Sequence, residues 1–301
     1  MQLGEEMKLR DEIPRPKMIE IADDIIDMGV KAVTFSGGGE PLLYQPLPET
    51  LARLGQAGVK CAVITNGSLL TGEVSRSVAS YCSWIRISMD YWNGESLQAS
   101  RSVKEELFDA TVQNIESFFK QGGTCTVGVN FVVSKENSQK LFFVSKLMRD
   151  LGVKHIKFSP AIVSDNIDKN ILYHTPLQPI VESQLNLCRT LVNDKFCIID
   201  GYHWKKTHRK KYHLCHFANL LTVIGADQEV YTCQDKAYTE KGHIGSLKNQ
   251  KFREMWQANK TREFLNTLNP SIDCKHHCVA DEKNMIADEL LSLQDGHEYF
   301  L

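Results

Sequence analysis

Short apolar, β-branched runs alternate along most of the chain with longer stretches whose apolar residues recur at three- and four-residue spacing. The runs at 31–35, 60–64, 84–88, 126–133 and 155–158 read as strands. Helical patterns occupy 16–28, 47–57, 71–80, 103–120, 138–151 and 179–192. In the first, Ile19, Ala22, Ile25 and Ile26 make an apolar stripe interrupted by Asp23, and Gly29 is the stop signal. This βα alternation predicts parallel strands joined by right-handed crossovers, with ligand loops at their carboxyl ends. The polar triplet Asn193-Asp194-Lys195 marks a boundary, giving expected parts 1–195 and 196–301. Beyond it, runs at 220–224 and 229–232 joined through Gly225-Ala-Asp-Gln228 predict a hairpin. A final helix at 282–293 is expected to pack Met285, Ile286, Leu290, Leu291 and Leu293 against the body.

The first predicted strand runs directly into a distinctive loop, Val33-Thr-Phe-Ser-Gly-Gly-Gly-Glu-Pro41. Consecutive glycines remove side-chain obstruction, so backbone N–H and C=O groups can approach a ligand closely. Glu40 adds a carboxylate, which beside open backbone acceptors favours an ammonium group over a phosphate. The spacing fits neither GxGxxG nor a loop ending in Lys-Ser/Thr. Taken alone, three glycines also suit an ordinary strand-to-helix turn, and Thr65-Asn-Gly67 suits a plain Asn-Gly turn.

Three segments together carry more: Ser36-Gly-Gly-Gly-Glu-Pro41, Ile64-Thr-Asn-Gly67 and Arg86-Ile-Ser-Met-Asp90, each at the end of a predicted strand. In combination they resemble the core of radical S-adenosylmethionine enzymes. The resemblance implies that Gly37, Gly38, Gly39 and Glu40 hold the methionyl amino group of S-adenosylmethionine. It implies ribose contacts from Ser88 and Asp90, with Asn130 as a further candidate, and places Thr65 and Asn66 on the same rim. It also implies a fold, a partial six-stranded (β/α) TIM-like barrel lacking its first strand, followed by a small α+β cysteine-rich domain. In the family the loop after that first strand carries CxxxCxxC, whose thiolates bind a 4Fe–4S cluster. The earliest cysteine here is Cys61, after the glycine loop, so the strand and cluster loop are expected to have been lost upstream of Met1. Cys61, Cys82, Cys125, Cys188 and Cys197 read as buried small hydrophobes.

A second group of cysteines follows the pattern C-x17-C-x40-C-x3-C, at Cys215, Cys233, Cys274 and Cys278. The hairpin brings the first two near each other, and four thiolates suit either a 4Fe–4S cluster or tetrahedral zinc. Cys215 through Gly245 to Cys278 resembles a twitch or SPASM-type auxiliary-cluster domain. With four cysteines it stands nearer the shorter twitch form, which implies one auxiliary cluster. His203, His208, His213, His216, His276 and His277 keep zinc in play, His216 foremost. The basic run 205–211, bordered by Trp204 and Tyr212, fits a solvated loop or a contact for an anionic substrate.

Composition narrows the partners. A net charge of -2 over 301 residues offers no electrostatic footprint for nucleic acid. No apolar run is long enough for a membrane span and the N-terminus lacks a signal core, so a cytoplasmic protein with metal-binding rather than disulfide-forming cysteines is expected. The resemblance implies reductive cleavage of S-adenosylmethionine to a 5′-deoxyadenosyl radical, a reductant such as flavodoxin or ferredoxin, and hydrogen abstraction from a peptide, sugar or other small molecule. Without the first cluster loop the chain as written is expected to be inactive. The alternative is a non-catalytic iron–sulfur or zinc protein serving as electron relay or scaffold.

Overall fold

The computed structural model describes residues 8, 10–164, 166–202, 210–274, 278 and 280–292. They fall into two compact units. One holds residues 25–163 and 171–204; the other holds the described residues up to Asp24, residues 164–170 and those beyond 204.

The larger unit is an α/β sheet. Up to its last strand the chain order is α1 Arg15–Asp27, β1 Ala32–Phe35, α2 Leu47–Gln56, β2 Lys60–Thr65, α3 Gly72–Tyr81, β3 Cys82–Ser88, α4 Gly94–Arg101, α5 Glu106–Lys120, β4 Thr126–Val133, α6 Leu141–Asp150, β5 His155–Pro160, α7 Ile167–His174, α8 Gln178–Arg189 and β6 Cys197–Asp200, with α1 up to Asp24 and α7 up to Asn170 counted in the other unit. The six strands lie in sequence order and every neighbouring pair is parallel. Helix α1 ends where expected: Gly29 takes φ +69°, and the Gly29 and Val30 amides donate to the Ile26 and Ile25 carbonyls at 3.0 and 3.1 Å.

Strand β6 corrects two expectations. Five strands were legible and the boundary fell at 195/196, yet the sheet continues through the pairing of His155–Phe158 with Cys197–Asp200. The polar triplet is a tight turn inside the unit, where Asn193 Oδ1 accepts from the Lys195 and Phe196 amides at 2.8 and 3.0 Å. Cys197, expected in the core, is exposed on this edge strand, whereas Cys61, Cys82 and Cys188 are buried as expected and Cys125 is half-buried.

Strand register sorts the side chains into two faces. Val63, Ile85, Ile87, Val129, Ile156, Phe131 and Phe158 are each 0% exposed and form the sealed face. Helices α2 and α3 pack on β2, α3 also on β3, α6 on β5 and α8 on β6. The alternate positions Trp84, Arg86, Ser88, Asn130, His155, Lys157 and Ser159 form a polar face with partial exposure.

The second unit contains an antiparallel sheet in the order β7 Val223–Ile224, β8 Glu229–Tyr231, β9 His243–Ser246. It continues through α9 Phe252–Gln257, α10 Asn259–Thr267, α11 Pro270–Asp273 and α12 Asp281–Leu291. The expected hairpin is present: Asp227 accepts from the Glu229 amide at 3.1 Å and from the Tyr231 hydroxyl at 2.5 Å, and Gln228 adopts φ +66° at the turn. Helix α12 is oriented differently from the expectation. Asn284 is 1% exposed, while Ile286 and Leu291 are 66% and 70% exposed. Polar contacts turn that side inward, because Asn284 Oδ1 accepts from the Phe217 amide at 2.9 Å and its amide group donates to Cys215 Sγ at 3.7 Å. His203, Trp204, residues 205–209, His276, His277 and Leu293 lie outside the described residues. None of the helices among the described residues is long and apolar enough to cross a membrane.

Candidate active site

The carboxyl ends of β1 and β2 are tied together by one carboxylate. After the glycines, Glu40 caps a single 3-10 turn over Pro41–Leu43, accepting from the Leu42 amide at 3.0 Å, with Pro41 at the position where a missing N–H costs nothing. The same Oε1 accepts from the Thr65 hydroxyl at 2.5 Å, and Oε2 accepts from the Asn66 amide at 2.9 Å. Thr65 Oγ1 in turn accepts from the Gly67 amide at 3.0 Å. Asn66 Oδ1 accepts from the Ser68 amide at 2.8 Å, forming an Asx-turn, so this side chain is committed to the bend. Gly67 is required at φ +80°, where a Cβ would also press on Thr111 and Ile87.

The tie positions Gly37, Gly38 and Gly39 without consuming their backbone groups. All three are exposed, with no hydrogen bond to the rest of the described protein. A Cβ on Gly39 would meet open space. The loop is therefore a cradle of free backbone donors and acceptors held by a fixed carboxylate.

Beside it, Ser88 and Asn130 are register neighbours on the polar face. Ser88 is exposed, and Asn130 is half-buried with Oδ1 accepting from the Ser159 hydroxyl at 3.1 Å. Asp90 is engaged differently: both of its carboxylate oxygens accept from Arg101 Nη2, at 2.9 and 2.7 Å. Its backbone carbonyl accepts from Asn137 Nδ2 at 2.9 Å.

The same polar face holds basic residues that motif reading overlooks. Arg86, His155 and Lys157 stand on β3 and β5, and burial lowers the proton affinity of all three. The Arg86 charge lowers His155 and Lys157 further. Strand alternation was the available signal, since 84, 86 and 88 share one face and 155, 157 and 159 another segment of it.

In the second unit, Cys215, Cys233, Cys274 and Cys278 are free, half-buried thiols. Burial pushes Cys274 up to about 11 and Cys278 up to about 12. Cys274 also feels Cys233 and Cys215, and Cys278 feels Cys233, which places the sulfurs in one neighbourhood. The Ala280 amide donates to Cys278 Sγ at 3.3 Å, a contact of the type that tunes cluster sulfurs. Among the described residues no three or more potential ligands stand closed to a single-ion geometry. The four-thiol donor set and its N–H donors fit an iron–sulfur cluster.

Asp281 braces this site. It pairs with Lys210 Nζ at 2.6 and 2.5 Å, accepts from the Tyr212 hydroxyl at 2.5 Å, and accepts from the Cys278 amide at 2.9 Å. Lys210, read from sequence as part of a solvated basic run, is thus a buried ion-pair member, its side chain 3% exposed. His216 Nε2 lies 3.2 Å from Asp288 Oδ1, and His213 Nδ1 lies 3.2 Å from Ser271 Oγ.

The radical SAM superfamily pattern matches residues 5–141, and the SPASM iron–sulfur cluster-binding domain matches 215–279. An S-adenosylmethionine-dependent nucleotide dehydratase of Lacinutrix mariniflava is 29% identical over 140 residues, covering 46% of this chain and 29% of that protein. The tungsten-containing aldehyde ferredoxin oxidoreductase cofactor-modifying protein of Pyrococcus furiosus is 24% identical over 284 residues, covering 84% of this chain and 76% of that protein. Among solved structures, Streptococcus suis SuiB bound to precursor peptide SuiA aligns with a TM-score of 0.62 at 14% identity, over 85% of this chain and 60% of SuiB. Native anSMEcpe with bound AdoMet aligns with a TM-score of 0.58 at 15% identity, over 86% of this chain and 75% of that one. The chain spans well under half of the nucleotide dehydratase and 38% of the Fe-coproporphyrin III synthase of Methanosarcina barkeri.

The chain thus carries a radical SAM match over residues 5–141 and a SPASM match over residues 215–279. Its C-terminal part matches the SPASM iron–sulfur cluster-binding domain, and the cofactors of such a protein are S-adenosylmethionine and iron–sulfur clusters, one of them auxiliary.

Proposed function

We propose that this chain supplies the S-adenosylmethionine-binding sheet and the auxiliary iron–sulfur unit of an enzyme that abstracts hydrogen from a small-molecule or peptide substrate. The observation that carries this reading is the free glycine backbone at Gly37–Gly39, held by the Glu40 tie to Thr65 and Asn66. The open carbonyls there suit the methionyl ammonium, while Ser88 and Asn130 offer hydroxyl and amide groups to a ribose. Asp90 acts on this site through its pair with Arg101. S-adenosylmethionine, once reduced, supplies a 5′-deoxyadenosyl radical, the electron coming from a partner such as flavodoxin or ferredoxin.

The cluster that would reduce it finds no ligands here. The 301 residues contain no CxxxCxxC, and Cys61 and Cys82 are buried sheet residues. A second reading, an electron-relaying iron–sulfur protein, rests on the four C-terminal thiols alone. Substrate class divides the neighbours: SuiB is bound to a peptide, and the dehydratase is named for nucleotides.

Equilibrium dialysis with labelled S-adenosylmethionine tests the proposal. Gly39→Val should lower affinity by about tenfold or more with an unchanged melting temperature, because its side chain projects into open space that the ligand needs. Absent binding to the unmodified chain, or equal binding to the variant, would overturn it.

A further inference from the structure

The polar face of the sheet holds a basic set with no counter-charge among the described residues. Arg86 on β3, His155 and Lys157 on β5 face one another across β4, whose intervening residue in the register is Gly128. Gly128 is what permits this: a Cβ there would collide with the His155 ring, so the imidazole lies across β4 toward Arg86. Arg86 Nε is buried without a hydrogen-bond partner among the described residues. Among the described residues neither His155 nor Lys157 has a hydrogen-bond or ion-pair partner. The nearby carboxylates are spoken for, Asp90 by Arg101 and Asp200 by Arg189.

Folded proteins pair a buried charge or leave it out, because desolvating a guanidinium without compensation is costly. Here a guanidinium, an ammonium and an imidazole converge instead, and the Arg86 charge opposes the neighbouring positive charges. Such an arrangement gains most from a bound anion. The Arg fork matches a planar or tetrahedral oxyanion, and Lys adds a point charge. Lys157 stands level with Ser88 and Asn130, so the cluster lies immediately beneath the proposed ribose contacts.

We propose that Arg86, His155 and Lys157 form a receptor for an oxyanion, the phosphate or carboxylate group of a small-molecule substrate held over the polar face. This rests on the reading of the glycine loop as the S-adenosylmethionine site, since it takes the substrate to be a second ligand beside that one.

The test is calorimetric titration of the full chain with pyrophosphate and with succinate, each with and without saturating S-adenosylmethionine. One or both anions should bind in the presence of S-adenosylmethionine. Arg86→Gln and Lys157→Gln should each weaken that binding by about tenfold or more. Lys146→Gln on exposed α6 is the charge-matched control and should leave it unchanged. Arg86→Gln alters a largely buried side chain, so Lys157→Gln, checked for an unchanged melting curve, carries the test if the former misfolds. A preference between pyrophosphate and succinate identifies the oxyanion. Three results overturn the proposal: neither anion binding at millimolar concentration, binding unaffected in folded Lys157→Gln, or mutual exclusion with S-adenosylmethionine, which assigns the cations to that ligand's own carboxylate. Anion binding that persists while S-adenosylmethionine fails to bind supports the receptor and overturns the glycine-loop reading instead.

Discussion

The Thr65 hydroxyl donates to Glu40 Oε1 at 2.5 Å, joining the end of β2 to the loop that leaves β1. Twenty-five residues separate the two in sequence, and the bond makes one rim of two motifs. Thr65 is 2% exposed, so this is a hydrogen bond to a charged group in a poorly solvated position, where such bonds are strongest.

Thr65→Val should therefore cost more than its size suggests. Valine fills the same space but removes the donor to Glu40 and the acceptor of the Gly67 amide. A loss of about 1–3 kcal/mol is expected from the stranded polar groups. The urea midpoint should fall accordingly, and S-adenosylmethionine affinity should fall with it as the glycine loop loosens. An unchanged midpoint would show that the rim is held by other contacts.

Asp281 should be the most sensitive surface-proximal acid of the C-terminal unit. Asp281→Ala strands the Lys210 ammonium, whose side chain is 3% exposed, and leaves the Tyr212 hydroxyl and Cys278 amide without their acceptor. Breaking a buried pair from one side costs about 3–5 kcal/mol. Asp281→Asn keeps an acceptor and should lose less. Thermal melts of the two variants would rank them, and equal stability with the unmodified chain would sink the argument.

Much of the fold was legible from strand periodicity, because the sealed face demands apolar residues at alternate positions and so writes Ile85, Ile87 and Val127, Val129 into the sequence. Strand β6 was hidden for the opposite reason. Four residues at an open edge, with Cys197 and Ile199 exposed, carry little pattern. Helix α12 misled because its apolar stripe is real but its inward side is set by Asn284, a polar residue no periodicity argument selects. At the site, the glycine loop and Thr65-Asn66 were readable as motifs. Their coupling through Glu40 was not, since a hydrogen bond across two loops leaves no spacing signature. The basic set Arg86, His155 and Lys157 was dispersed over two strands and became a cluster only through register.

Alkaline pH should destabilise the sheet unit. Burial pushes Cys61 from an ordinary 9.0 up to about 11 and Cys125 up to about 12. Tyr91 rises from 10.0 to about 12, mainly by burial and then by the Asp90 charge. For a group raised in the folded state, the stability is fully present below the unfolded value and is lost as pH climbs toward the folded one. Urea midpoints should thus hold steady below pH 9 and decline from there to about pH 12. Substituting Cys61→Ala should flatten the early part of that decline. A curve flat across the window would show that the buried thiols do not control it.

The 301-residue chain should release no 5′-deoxyadenosine after anaerobic cluster reconstitution with dithionite present. None of its nine cysteines completes CxxxCxxC, and the pair at Cys274 and Cys278 lies in the other unit. Chromatographic detection of the nucleoside above a no-protein control would mean that other residues bind the reducing cluster.

Reconstitution should nevertheless load iron at the C-terminal thiols. Four cysteine ligands hold one cluster of about four irons with matching sulfide. Cys274→Ala and Cys278→Ala remove ligands from a neighbourhood shared with Cys233 and should each cut the iron and sulfide content severely. Cys197→Ala alters an exposed thiol on the other unit and should leave the content intact. The visible absorbance near the thiolate-to-iron bands gives a second readout that does not depend on activity. Asn284→Ala adds a sharper condition: it removes an N–H donor 3.7 Å from Cys215 Sγ without removing a ligand. Such donors favour the more negatively charged, reduced cluster, so its loss should lower the reduction potential while iron content stays the same. Iron content unaffected by Cys274→Ala and Cys278→Ala would place any bound iron away from these thiols.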